Sequence, residues 1–201
     1  PAVHPREPFE TGRQLFKSPF YEREVALGGY FMEAAGWERA HGYAANEPTL
    51  LAKYRYQIPQ RTNEWDSRHF WEVSNAEQLA LSDDVGMVNL SHFAIYDIDG
   101  PSAEHLLEYL AVARVGGATQ VGKGVYTHFL DEKGGIRADL TIVRLSEDCF
   151  RVICGGGTGH RDLVWIKQMA AVRNADIEIH NRTHQLATLG LWGPNARKVL
   201  A

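Results

Sequence analysis

Residues 124–154 constrain the fold more than any other stretch of this chain. Gly124–Leu130, Gly135–Leu145 and Cys149–Cys154 are rich in apolar, β-branched and aromatic residues, and only the turn signals Asp131-Glu-Lys-Gly-Gly135 and Ser146-Glu-Asp148 separate them. Strands joined by connections this short cannot run parallel, because a parallel crossover takes about a dozen residues or more. They form an antiparallel meander. On either side lie helical patterns: Leu106, Leu107 and Leu110 share one face after the Asp99-Gly-Pro101 turn, and Leu163, Ile166 and Ala170 share another behind Thr158 as N-cap. Met87–Ile98 reads as one long strand, and Asp176–His180 and Gln185–Leu191 as two more. Helices mixed with antiparallel strands define an α+β protein and exclude a doubly wound nucleotide-binding core.

The front of the chain is less regular. Pro1-Ala-Val-His-Pro-Arg-Glu-Pro8 opens a segment, 1–17, that reads as a linker, since proline blocks both helix interiors and sheet ladders. Ser18-Pro19-Phe20 starts a helix through Leu27, Gly28-Gly29 ends it, and a strand Tyr30–Ala35 follows. Residues 44–70, around Pro48, Pro59 and Arg61-Thr-Asn-Glu-Trp65, read as an insertion holding at most a short helix at Leu50–Tyr54. Ser74-Asn-Ala-Glu77 has the form of a capping box opening a helix through Leu81. Pro194 with Ala196, Val199 and Leu200 announces a helix only just begun at Ala201, and no Met opens the chain, so the expectation is a fragment of a longer polypeptide with residues 18–201 as the front of one domain.

The 201 residues carry 21 Lys and Arg against 25 Asp and Glu, for a net charge of -4, and these charges are scattered. That pattern excludes a nucleic-acid partner. No apolar run approaches the roughly 20 residues of a membrane span, and no signal segment opens the chain. A soluble protein of the cytoplasm, or of the mitochondrial matrix in a eukaryote, is expected, with no membrane partner. Cys149 and Cys154 sit five apart in one strand on opposite faces, so they cannot pair.

Among motifs, Gly155-Gly-Gly-Thr-Gly-His160 occupies the strand-to-helix position of a phosphate loop but matches neither glycine fingerprint, and reads better as close backbone approach to a neighbouring strand or a flat ligand. No metal-ligand spacing appears among the nine histidines. His92 and His128, inside expected strands, read as hydrogen-bonded structural side chains. Asp139 is the most telling residue. The period of two puts Ile136, Ala138, Leu140 and Ile142 on a core face and Arg137, Asp139, Thr141 and Val143 on the other. A mid-strand Asp needs a reason. It is either an ion pair, to Arg137, Arg144 or a neighbouring strand, or a carboxylate that handles a proton on a ligand nitrogen in a cleft.

Three segments in order resemble the glycine-cleavage T-protein (aminomethyltransferase) family: Gly86-Met-Val-Asn-Leu-Ser-His-Phe93, Tyr126 followed by Gly134-Gly-Ile-Arg-Ala-Asp-Leu140, and Leu189-Gly-Leu-Trp-Gly-Pro-Asn-Ala196. Ser18-Pro-Phe-Tyr-Glu22, Gly36-Trp-Glu-Arg39, Glu64-Trp65 and the 44–70 insertion are similar to the folate portion of dimethylglycine and sarcosine dehydrogenases and oxidases. The resemblance implies antiparallel sheets with a ferredoxin-like subdomain, a tetrahydrofolate site, and FAD in an upstream domain of the same polypeptide that oxidises a methylated amine. It further implies that Asp139 is the catalytic acid–base beside the pterin nitrogens, that Tyr126 is the aromatic on the pterin ring, and that Phe93 stands at the family's methionine contact. Gly155 stands where the family often has a folate-contacting Asn, and with Thr158 it completes the candidate cofactor contacts. A stand-alone folate-dependent aminomethyl- or methyltransferase and a non-catalytic folate-binding module are the alternatives.

Overall fold

The structure, a computed structural model, describes residues 11–63, 70–116 and 120–201. The proline-rich opening of the expected linker and the Glu64–Trp65 segment lie outside the described residues. The chain divides into two compact units, one of residues 1–91 and 188–201, the other of residues 92–187.

In the first unit, helix α1 (Tyr21–Ala26) follows Ser18, whose hydroxyl accepts the Phe20 N–H at 3.2 Å. Strands β1 (Gly29–Ala34) and β2 (Trp37–Tyr43) form an antiparallel hairpin with Ala34 facing Trp37 across a two-residue turn. Ala35 and Gly36 both take positive φ, +53° and +83°, as a tight hairpin turn demands. β2 is absent from the sequence reading because its turn lacks the usual Asn-Gly signal and its buried positions include Glu38. That carboxylate is buried as the partner of Arg13, at 2.8 and 2.6 Å, and of the Gln14 N–H, so residues 13–16 are tied to β2 although they form no helix or strand. Helices α2 (Glu47–Tyr54) and α3 (Trp71–Asp83) pack through Leu51, Tyr54 and Ala76. Ser74 lies inside α3, three residues after its start, so the expected capping box does not form. Glu77 instead accepts the Tyr43 N–H and the Asn46 amide, tertiary partners that local pattern cannot reveal.

The expected strand Met87–Ile98 is two strands, β3 (Gly86–Asn89) and β4 (Ala94–Asp99). The Asn89 side chain breaks it: its Oδ1 accepts the Ser91 N–H, while its amide donates to Ser18 and to buried Glu24. The two halves belong to different units. β3 pairs with β9 (Leu189–Trp192), and α6 (Ala196–Leu200) closes the described chain.

The second unit is one five-stranded antiparallel sheet with two helices. After β4 come α4 (Ala103–Leu110), β5 (Gly124–Leu130), β6 (Ile136–Arg144), β7 (Cys149–Cys154), α5 (Gly159–Val172) and β8 (Glu178–Asn181). The order is β5-β6-β7-β4-β8. Setting β5 aside as an added edge, β4-α4-β6-β7-α5-β8 is a split βαβ of ferredoxin-like type, which matches the expected subdomain and α+β class. Leu106, Leu107 and Leu110 of α4 and Ile166 of α5 bury one sheet face together with Phe129, Leu140, Ile142, Phe150 and Val152. Cys154 lies in this core and Cys149 is half-buried, both as free thiols. Ile136 departs from expectation: it is 68% exposed. The register slips between Phe129 and Leu130, which leaves Arg137 as an extra residue and removes Ile136 from the core-facing series. Among the described residues, no helix is long and apolar enough to cross a membrane.

The glycine run after β7 is a packing device. A methyl group on Gly156 would run into the His92 carbonyl oxygen, and one on Gly159 into Ala94. Gly156→Ala is therefore expected to lower the urea midpoint by the equivalent of about 1–3 kcal/mol, the usual cost of overpacking. An unchanged midpoint would show that the turn yields freely.

Candidate functional site

The face of the five-stranded sheet opposite α4 and α5 carries the residues that sequence singles out. Tyr126 and Asp139 lie on neighbouring strands, and the Tyr126 hydroxyl donates to Asp139 Oδ2 at 2.8 Å. Tyr126 is 64% exposed and Asp139 is exposed, so the pair stands on an open face of this unit rather than enclosed within it. That hydrogen bond to a carboxylate raises the phenol above its ordinary value, which keeps Tyr126 a protonated donor.

Among the described residues, none of the ion pairs envisaged for Asp139 forms. Arg144 bridges Glu104 at 3.0 Å, and Arg137 stacks its guanidinium 4.5 Å over the Trp165 ring. Asp139 keeps Oδ1 clear of hydrogen bonds among the described residues. His128 faces Asp139 directly in the β5–β6 register and sets its ring edge-on to Tyr126 at 5.4 Å. Its imidazole makes no hydrogen bond among the described residues, so the structural reading of His128 lacks the bond on which it rested.

Register extends this cluster across the sheet. Leu140 and Ala94 both pair with Cys154, from its two sides. Both ladders end at that pairing: Asp139 is the next residue along β6, Gly155 is the first residue after β7, and Phe93 is the residue just before β4. His128 and Asp139 thus face each other near the end of the sheet at which the chain leaves β7 and enters β4. A Cβ at Gly155 would meet only the Thr158 hydroxyl among the described residues, at 3.6 Å, so the backbone there is a bare floor. Sequence pattern alone could not set His128 against Asp139, because the pairing depends on the register of the β5–β6 ladder.

Thr158 plays a different part. It precedes α5, but its hydroxyl does not cap the helix. It donates to buried Asp162 at 2.8 Å and lies 3.3 Å from the Gly155 carbonyl, and so braces the turn on which Gly155 sits. Asp162 needs that donor because it is buried beside Cys154, whose thiol burial pushes up to about 12.

A second charged cluster lies elsewhere on the same face. Asp97, 5% exposed, accepts two hydrogen bonds from Arg151, at 2.7 and 2.9 Å, and one from Arg182 at 3.0 Å. Burial raises its carboxyl, and the two guanidiniums outweigh that and hold it below the ordinary value. No group of three or more His, Cys, Asp or Glu among the described residues comes together as metal ligands.

The Tyr126–Asp139 pair thus stands on the open face of a ferredoxin-like sheet with one added edge strand. Residues 20–201 match the family model described as GCVT N-terminal domain, and the chain belongs to that family. It is 33% identical, over its full 201 residues, to a 4-methylaminobutanoate oxidase (formaldehyde-forming) of Paenarthrobacter nicotinovorans, of which it spans 23%. It is 30% identical over 183 residues, 91% of the chain, to an aminomethyltransferase of Bordetella avium (strain 197N), of which it spans 42%. The chain therefore spans less than half the length of either relative. Its fold follows the crystal structure of glycine cleavage system aminomethyltransferase T from Bartonella henselae, with a TM-score of 0.68 at 23% identity, covering 93% of this chain and 43% of that one.

Proposed function

We propose that this chain is the tetrahydrofolate-dependent, one-carbon-accepting part of an FAD-dependent N-methyl amine oxidoreductase of the dimethylglycine and sarcosine type. In this reading residues 1–17 lead out of an upstream flavin domain, and residues 18–201 are the front of the folate domain. The observation that carries it is the Tyr126–Asp139 pair beside the bare floor at Gly155. A flat, nitrogen-rich ring fits such a place. Gly155 lets it lie against backbone, Tyr126 offers an exposed aromatic ring, Phe93, just before β4, offers a second, and Asp139 Oδ1 is available to a ring N–H. Thr158 braces the Gly155 turn through Asp162. The formaldehyde-forming oxidase among the relatives supports the assignment, because its name describes removal of a one-carbon unit from a methylated amine.

When bound, tetrahydrofolate supplies the nucleophilic nitrogen that captures the one-carbon unit, and FAD removes electrons from the methylated amine. The chain's own residues orient and deprotonate. Tyr126, held as a phenol, fixes Asp139 Oδ2 and leaves Oδ1 to take a proton from the ligand. The carboxylate also stabilises positive charge developing close to it, and such acid–base help is worth roughly 10²–10⁴-fold in rate.

Equilibrium binding of tetrahydrofolate to the full-length protein tests the assignment. Tyr126→Ala is expected to weaken it about three- to tenfold, the scale of a lost aromatic stack. Unchanged affinity would move the folate site away from this face. A stand-alone aminomethyltransferase is the second reading, favoured by the Bordetella avium relative. An upstream reading frame without a dinucleotide-binding glycine fingerprint would decide for it.

A further inference from the structure

We infer that His128 is the residue that resets Asp139, taking from its carboxyl the proton that Asp139 has accepted and passing it to solvent. The inference rests on the folate reading above and adds a residue that the family resemblance does not assign. Three observations carry it. His128 and Asp139 face each other in the β5–β6 ladder, which sets their Cβ atoms roughly 4.5–5.5 Å apart. The His128 ring lies against Tyr126, the other partner of Asp139. Finally, no hydrogen bond among the described residues commits the imidazole elsewhere, so both ring nitrogens are available.

The chemistry of the three side chains divides the work. Tyr126 stays a phenol, because its bond to Asp139 raises it further from neutrality. It donates and does not accept. Asp139 accepts, but a carboxylic acid formed there must lose its proton before the next turnover. Imidazole is the side chain that changes charge readily between pH 5 and 8. The proton leaves Asp139 Oδ1 for an imidazole nitrogen, the carboxylate is restored, and the imidazolium returns the proton to water. Charge balances at each step, and no redox partner is involved.

The charged and titratable groups around His128 are Asp139 opposite, Arg137 and Tyr126 at neighbouring positions, and Arg114 on the segment that pairs with the outer edge of β5. Arg137 is held over Trp165 and by the Arg161 contact to its carbonyl, which leaves Asp139 as the anionic neighbour across the ladder, within reach of the imidazole by side-chain rotation.

The test compares His128→Gln, His128→Ala and Asp139→Asn in the full-length protein, with tetrahydrofolate binding by fluorescence quenching and methylenetetrahydrofolate formation from pH 5.5 to 9. His128→Gln is expected to bind tetrahydrofolate within about twofold of wild type. Its product formation is expected to fall by about tenfold or more at neutral pH, at the lower end of general acid–base effects, with an altered pH profile. Added imidazole is expected to restore part of the rate in His128→Ala and none in Asp139→Asn. A His128→Gln rate and pH profile identical to wild type would overturn the inference. So would a loss that imidazole does not relieve and that tracks weakened tetrahydrofolate binding, which would make His128 a packing residue. If Asp139→Asn itself leaves folate product unchanged, Asp139 is structural and the His128 inference falls with it, whereas a wild-type full-length protein that neither binds tetrahydrofolate nor forms methylenetetrahydrofolate would sink the folate reading itself.

Discussion

On the proposed folate reading, Asp139→Asn in the full-length protein is expected to separate amine oxidation from one-carbon capture. Electron transfer from the amine to a flavin in another domain needs nothing from a side chain on β6, so amine-dependent flavin reduction should continue near the wild-type rate. Capture, on that reading, needs the Asp139 carboxylate, and the amide keeps the shape of the side chain but removes its charge and its basicity. The Tyr126 hydroxyl can still donate to the amide oxygen, so the local geometry survives. Loss of the anion should slow methylenetetrahydrofolate formation by roughly 10²–10⁴-fold. The oxidised amine then hydrolyses, and free formaldehyde accumulates even with saturating tetrahydrofolate. A side-by-side assay of formaldehyde and methylenetetrahydrofolate reads this directly. Unchanged folate product would make Asp139 structural, whereas equal loss of flavin reduction would point to misfolding.

For stability, the largest single effect is expected at Asp97. Arg151 reaches it from β7 and Arg182 from the end of β8, and the carboxylate is almost fully buried. Asp97→Asn leaves two guanidiniums facing a neutral amide, and breaking a buried pair in this way costs about 3–5 kcal/mol. Urea unfolding should show a midpoint lowered accordingly. Arg182→Gln should cost less, since Arg151 still holds the carboxylate and Arg182 is more exposed. The pH dependence follows from the direction of the shift. A carboxyl held below its ordinary value contributes stability that is fully present above about pH 4 and is lost as pH falls through the depressed value. Glu38 acts in the same sense, because the Arg13 hydrogen bond outweighs burial and lowers it. Wild-type stability should therefore hold from neutrality to about pH 5 and decline below about pH 4, and Asp97→Asn should show a shallower decline. Parallel acid curves for the two proteins would show that Asp97 is not the titrating group.

Much of the second unit is visible in the chain because its information is local. A period of two in Ala138, Leu140 and Ile142 and the five- and four-residue turns on either side of β6 specify an antiparallel meander without reference to anything distant. The same period isolates Asp139, a residue whose charge conflicts with its strand, and Tyr126 joins it through the family likeness. The first unit is less legible. Glu38 and Glu24 are buried there only because Arg13, Tyr43, Asn89 and Ser18 come from elsewhere in the chain to satisfy them. Charged residues at buried positions erase the alternation that would have revealed β2, and Ser74-Asn-Ala-Glu77 imitates a helix start while Glu77 serves a tertiary bond.

By itself, then, the sequence determined the α+β class, the meander and the two helices that cover it, and it singled out Asp139 as the candidate acid. Tertiary structure decided where the strand beginning at Met87 breaks, because Asn89 spends its side chain on Ser18, Glu24 and Ser91. It decided that Ile136 leaves the core, because one bulged residue reverses the parity of everything beyond it. It also decided that His128 and Asp139 face each other beside Tyr126. Side chains from two strands become neighbours only when the register of their ladder is set, and that register depends on core packing on the opposite face of the sheet.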